Sequence, residues 1–158
     1  MIRMSKLTDY GIVLLTYFAN HPEGSEYSAR QLAAETHLPL PMVGKILKLL
    51  AREGLLVSHR GASGGYRLAR TPEKISVAEA IAAMEGPIAV MECIDAPGMC
   101  MHEGRCCVRG NWHKINATVV KALQGISLVD MTRPLVENFV PLGRLESGPS
   151  PSSLTSAP

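Results

Sequence analysis

The chain has four cysteines, Cys93, Cys100, Cys106 and Cys107, separated in turn by six, five and no residues. They fall in a stretch from 87 to 110 that also carries Gly98, Gly104 and Gly110. Most connections in compact domains run to about six residues, so a segment of this length needs a purpose. Thiolates are soft ligands that favour zinc or iron-sulfur clusters. A zinc knuckle brings two ligands together across roughly two to four residues, and no such pair occurs here. Wider spacing in a glycine-bearing loop lets Cys93, Cys100 and Cys106 surround a larger object. Three thiolates leave a fourth ligand to be found among Cys107, His102, His113 and an acidic residue from elsewhere, a partner subunit included. Cys106 and Cys107 are adjacent and point differently, which makes joint ligation awkward. Unliganded surface thiols at this density would invite oxidation, which argues against a purely structural role for all of them. A thiol enzyme with Cys106 or Cys107 as nucleophile has no CxxC motif or His-Asp partner to support it, so the expectation is not an enzyme.

The compartment must keep such thiols reduced. The start, MIRMSKLTDY, shows no long apolar segment before a small-residue cleavage site, and no apolar run approaches the ~18 residues of a membrane span. The expectation is a cytoplasmic protein without membrane association. Net charge is only +2, but residues 1 to 75 carry ten Lys or Arg against six acidic residues, and residues 76 to 158 carry six against eight. Between 45 and 70 the charges are Lys45, Lys48, Arg52, Arg60, Arg67 and Arg70 opposed by Glu53 alone, a field suited to phosphates.

The elements that would present those charges follow in order. Thr8 is placed to cap a helix carrying Ile12, Leu15 and Ala19, which ends at Asn20-His21-Pro22. Ser28 and Gln31 have capping-box spacing ahead of a short helix closing near Thr36. After the turn His37 to Pro41, Pro41 suits the first position of a third helix, whose apolar stripe is Val43, Ile46, Leu47 and Leu50 and which Gly54 ends. Met42, Gly44, Lys45 and Lys48 fall on its other face. Two runs, 55 to 60 and 65 to 69, flank the glycine-rich turn Gly61 to Gly64 and make a hairpin. Short helix, turn, longer helix and hairpin is the winged helix-turn-helix plan, in which the later helix enters the major groove and Arg60 of the wing could enter the minor groove. The expected fold is therefore mainly α with a small β wing, plus a long dimerisation helix. Its DNA contacts are expected from Ser28, Pro41, Met42, Gly44, Lys45, Lys48, Arg60, Ser63 and Tyr66.

Ser76 and Glu79 repeat the capping-box spacing before a helix ended by Gly86-Pro87. Trp112, Ile115, Val119, Ala122 and Leu123 then form a stripe along a helix from 112 to 124, which could be buried against a twin. The plan divides the chain into a winged helix-turn-helix at 1–75, a connecting helix at 76–92, a cysteine loop at 93–110, a dimerisation helix region at 111–132 and a tail at 133–158. From 147 the tail is Ser- and Pro-rich and expected to be disordered.

Three features together carry a family resemblance: Leu7-Thr8-Asp9-Tyr10-Gly11, the wing Arg60-Gly61-Ala62-Ser63-Gly64-Gly65-Tyr66, and three loop cysteines followed by Trp112. The chain resembles the iron-sulfur winged-helix repressors typified by IscR and NsrR, and among them the regulators of SUF iron-sulfur assembly genes. The resemblance implies a homodimer on a palindromic double-stranded DNA operator. Cys93, Cys100 and Cys106 would hold one 2Fe-2S or 4Fe-4S cluster per subunit. Family members commonly space their cysteines by five and five, whereas the first gap here is six. The histidine that completes the IscR ligand set is replaced by Arg109. By similarity to NsrR, whose first helix supplies an aspartate to the other subunit, the fourth ligand is Asp9, with Cys107 the alternative. The recognition-helix positions Pro41, Gly44 and Lys45 differ from those of IscR, so its operator is not transferable, while Arg60 matches the wing arginine. The expected function is repression of SUF-type genes according to cluster status. The alternatives are a zinc-stabilised winged helix without sensing, or a nitric oxide or redox-responsive repressor of other genes.

Overall fold

Ser5, not Thr8, caps the first helix. In the computed structural model, which describes residues 4–59, 61 and 64–133, Ser5 is extended and its hydroxyl accepts the Thr8 N–H at 3.2 Å. The helix α1 (Lys6–Ala19) thus starts before the expected cap. Thr8 is instead fully buried in the first turn, where its hydroxyl donates to Glu85 Oε1 at 2.5 Å. The buried stripe of α1 is Leu14, Leu15 and Phe18, with Ile12 and Ala19 packed on its flanks.

The next helix, α2 (Ala29–Thr36), carries the full Ser28–Gln31 capping box, and His37 closes it in the left-handed region at φ 56. The third helix, α3 (Leu40–Arg52), begins one residue earlier than expected, so Pro41 occupies its second position. A first-turn N–H has no partner inside the helix in either case, and the proline is tolerated there equally. Val43, Ile46, Leu47 and Leu50 are all at 0 % exposure. Burying such side chains contributes about 1.5–3 kcal/mol each, which makes this stripe the centre of the core. Gly54, at φ 75, turns the chain out of α3.

The hairpin is short. Strands β1 (Leu56–Ser58) and β2 (Tyr66–Leu68) pair antiparallel with Val57 opposite Arg67. A further rung that the sequence did not suggest lies beside them, where Tyr27 exchanges two backbone hydrogen bonds with Tyr66, at 3.0 and 2.9 Å. Gly65 permits the approach, because a Cβ there would lie 3.1 Å from the Tyr27 carbonyl. Arg60, Ser63 and the tail from residue 134 onward lie outside the described residues.

A 3-10 turn at Pro72–Lys74 leads to α4 (Val77–Glu85), which starts with the Ser76–Glu79 capping box. The cysteine segment is not structureless: it contains α5 (Glu92–Asp95) and a 3-10 turn at Glu103–Arg105. The long helix α6 (Arg109–Gln124) begins three residues before Trp112. A final short helix, α7 (Leu128–Thr132), was not anticipated, although Ser127 and Asp130 form a third capping box. Here the chain returns to pack against α1 and the 3-10 turn at Pro72–Lys74. Val77 donates to the Ile126 carbonyl at 2.8 Å, Leu128 donates to that of Ile75 at 2.9 Å, and the Leu128 side chain is fully buried in the core. The helix α1 packs against both α4 and α7. No helix among the described residues is long and apolar enough to cross a membrane.

Glu85 Oε1 also accepts the Ser5 N–H at 2.7 Å. The Thr8 hydroxyl first, and then the Ser5 N–H, hold its carboxyl below the ordinary value of 4.5, with burial opposing them. A depressed folded-state pKa stabilises the fold above the unfolded value, and this contribution is lost as pH falls through the folded value. Replacing Thr8 by Val should cost about 1–2 kcal/mol at pH 7 in urea unfolding. The gap from the wild type should narrow as pH falls below 4.5 and Glu85 protonates.

Candidate nucleic-acid interface and thiol loop

Because α3 buries Val43, Ile46, Leu47 and Leu50, helical geometry turns Lys45 and Lys48 to solvent, and both are exposed. Pro41 is exposed at the helix entrance. Gly44 lies on the same side. A Cβ at Gly44 would meet nothing within 4 Å, so the interior of this chain does not require glycine there. Glycine in a helix costs about 1 kcal/mol relative to alanine, and close approach of an outside surface is the ordinary reason to accept that. Arg52 at the helix end is paired with Glu53 at 2.9 Å.

Met42, Tyr66 and Ser28, also expected at the DNA, each have a contact within the chain. Met42 is half-buried and packs against the core, as does Tyr66, whose backbone N–H and carbonyl are both committed to Tyr27. The Ser28 hydroxyl is engaged with Gln31.

The thiol loop is held at several points. Asn116, midway along α6, donates to the Ile88 carbonyl at 3.1 Å and accepts the Val90 N–H at 3.0 Å. One amide side chain thus satisfies both backbone groups at the mouth of the loop. Further along, Glu103 accepts the Gly98 N–H at 2.5 Å and pairs with Arg109 at 2.7 Å, its side chain only 11 % exposed. Sequence reading missed both residues. A polar residue of poor helix propensity between Ile115 and Val119 was the available signal for Asn116.

All four cysteines are free thiols: Cys93 is buried in α5, Cys100 and Cys106 are half-buried, and Cys107 is exposed. Among the described residues no three His, Cys, Asp or Glu side chains are gathered into a metal-sized group. The donor set itself fits a soft metal centre, being three unpaired thiols carried on one loop. Asp9 is exposed in the first turn of α1. Arg109 is committed to Glu103. None of the sixteen residues of α6 is buried; Ile115 is 45 % exposed, and Trp112, Val119 and Leu123 are only partly covered.

The family description "Rrf2: Iron-dependent Transcriptional regulator" matches residues 4–134. Among curated proteins, the chain is 27 % identical over 131 residues to the HTH-type transcriptional regulator NsrR of Shouchella clausii, covering 82 % of this chain and 88 % of that protein. Among solved structures it is similar to CymR, the global cysteine regulator of B. subtilis, with a TM-score of 0.65, 26 % identity and coverage of 84 % and 97 %. It is likewise similar to T. potens IscR, with a TM-score of 0.62, 27 % identity and coverage of 82 % and 85 %.

If α3 meets DNA, Lys48→Ala should leave folding intact, weaken binding to all duplexes and reduce the slope of log affinity against log salt by about 1. Gly44→Ala should act in opposite directions on two measurements. Thermal or urea unfolding should show a gain of roughly 0.5–1 kcal/mol, while gel-shift titration shows weaker DNA binding. Stabilisation with unchanged DNA affinity would remove Gly44 from the interface.

Proposed function

This chain belongs to the Rrf2 family of transcriptional regulators, and from that premise we propose that it is a homodimeric repressor of SUF-type iron-sulfur assembly genes. It acts in the cytoplasm on a palindromic operator and answers to cluster status. The observation that carries this reading is the position of the thiols. They hang on a loop between α4 and α6, and each helix is tied back to the DNA-binding domain, α4 by Glu85 on Ser5 and Thr8, α6 by the return through Ile126 and Leu128.

Cys93, Cys100 and Cys106 would hold the cluster, with Asp9 of the partner subunit as fourth ligand and Cys107 as the alternative. When bound, the cluster would supply an iron- and oxidant-sensitive link among three thiolates. The chain's own residues do the rest. Cys93 is buried in α5, a few residues beyond the Asn116 clamp, so a change in how its sulfur is held reaches α6 through Ile88 and Val90. The uncovered stripe of α6 suits a second copy of the chain. A dimer would present two α3 helices to successive major grooves. A differential of ~1.4 kcal/mol between loop states would change operator affinity tenfold, so small displacements suffice.

Protein purified without oxygen should be brown, with iron and sulfide in matching amounts. Cys93→Ala should abolish the visible absorption, and Cys107→Ser should retain it. Asp9→Ala should shift the spectrum or speed cluster loss. Colourless protein containing zinc, or no metal after reconstitution with iron and sulfide, would replace this reading with a zinc-stabilised or metal-free winged helix. Transcription of assembly genes that falls on deletion of the regulator would exclude simple repression.

A further inference from the structure

Glu26 lies two residues before the Ser28 cap of α2, and Tyr27, between them, forms the extra rung on Tyr66 of β2. Its carboxylate oxygen Oε1 contacts His59 Nδ1 at 2.5 Å and Arg67 Nε at 3.5 Å. His59 directly follows β1, and Arg67 is the middle residue of β2. One carboxylate therefore touches both arms of the hairpin from the entrance of the helix-turn-helix.

Stability does not explain this arrangement. The three side chains are between 35 % and 47 % exposed, and solvent-exposed ion pairs contribute little. The hairpin is already held by its own ladder and by the Tyr27 rung. General attraction to DNA does not explain it either, because a carboxylate beside the Arg67 guanidinium lowers the local positive field. What the contact does achieve is geometric. It fixes the hairpin relative to the segment that leads into α2, and through α2 relative to α3, while holding His59 and Arg67 back from indiscriminate phosphate contacts.

We propose that Glu26 is a specificity-positioning residue, a carboxylate latch that sets the angle between wing and recognition helix and trades bulk phosphate affinity for discrimination between DNA sequences. This rests on the reading of the chain as a DNA-binding regulator. The latch acts through His59 and Arg67 and need not touch DNA itself.

The test uses the full-length protein, Glu26→Gln and Glu26→Asp. Two duplexes serve as probes: one recovered by the wild type from a random-sequence pool, and a scrambled duplex of the same composition. Glu26→Gln should bind the scrambled duplex about twofold to threefold more tightly, having lost a negative charge near the phosphates. Its preference for the selected duplex should fall by roughly threefold to tenfold. Glu26→Asp keeps the charge but is one methylene short. It should lose discrimination without the gain on scrambled DNA. Both variants should melt within about two degrees of the wild type, since exposed pairs carry little stability.

Unchanged discrimination in both variants would overturn the latch. So would equal tightening on both duplexes by Glu26→Gln with full discrimination in Glu26→Asp, which would leave only a charge effect. A marked loss of melting temperature in either variant would make the contact structural and overturn it as well. A pool from which the wild type recovers no preferred duplex would overturn the DNA-binding reading and the latch with it, an outcome distinct from a selected duplex that all three proteins read equally.

Discussion

The molecule depends on the burial of one helix stripe. Val43, Ile46, Leu47 and Leu50 leave no surface to solvent, and this fixes the rotation of α3 about its own axis. A helix advances about 100° per residue, so Lys45 and Lys48 can face outward only while those four positions face inward. The remaining elements serve that orientation. Leu14, Leu15 and Phe18 of α1 supply one wall of the core, Leu55 and Leu56 close it beside the hairpin, and Leu128 fills it from α7. The basic surface is thus a consequence of apolar packing, and a regulator built this way can vary its outward residues without disturbing the fold.

Residues 77–133 form an arm attached at both ends. It leaves the winged domain along α4, runs through the thiol loop and α6, and returns at α7. Near the departure, Glu85 accepts hydrogen bonds from Ser5 and Thr8; at the return, Ile75 and Val77 exchange backbone hydrogen bonds with Leu128 and Ile126. Between these anchors the polar side chains Asn116 and Glu103 hold the loop by backbone contacts. Hydrogen bonds of this kind contribute about 1 kcal/mol each, enough to define a conformation and little enough for it to be displaced. A loop free at one end would absorb any local change. A loop clamped between two anchored helices passes it on.

Much of this was legible in the sequence wherever the decisive contacts are local. The boxes Ser28–Gln31 and Ser76–Glu79, the left-handed Gly54 and the α3 stripe all depend on residues within a turn of each other, and each stands where its spacing placed it. Misreadings arose where a distant partner decides. Thr8 has the side chain of a cap, yet Glu85, 77 residues away, draws its hydroxyl into the interior and leaves the cap to Ser5. Met42 and Tyr66 lie at positions that could face either way, and both pack partly against the core. Asn116 and Glu26 make their contacts 26 to 33 residues or more from their own positions, beyond any periodicity. For the thiol site, the residues and spacing were evident in the sequence, but the mode of gathering was not, because no three donors converge among the described residues of a single chain.

Gly11 sets how closely α1 and α4 approach each other. It is buried in the middle of α1, and a Cβ placed on it would lie 3.1 Å from the Met84 sulfur. The helix accepts a residue of poor propensity so that the two elements joined by Thr8 and Glu85 can touch. Positions 11 and 84 therefore form one steric unit. A side chain gained at 11 would press on the flexible Met84 side chain, which would have to give by a few tenths of an ångström. A substitution at either position accordingly changes the room available to the other.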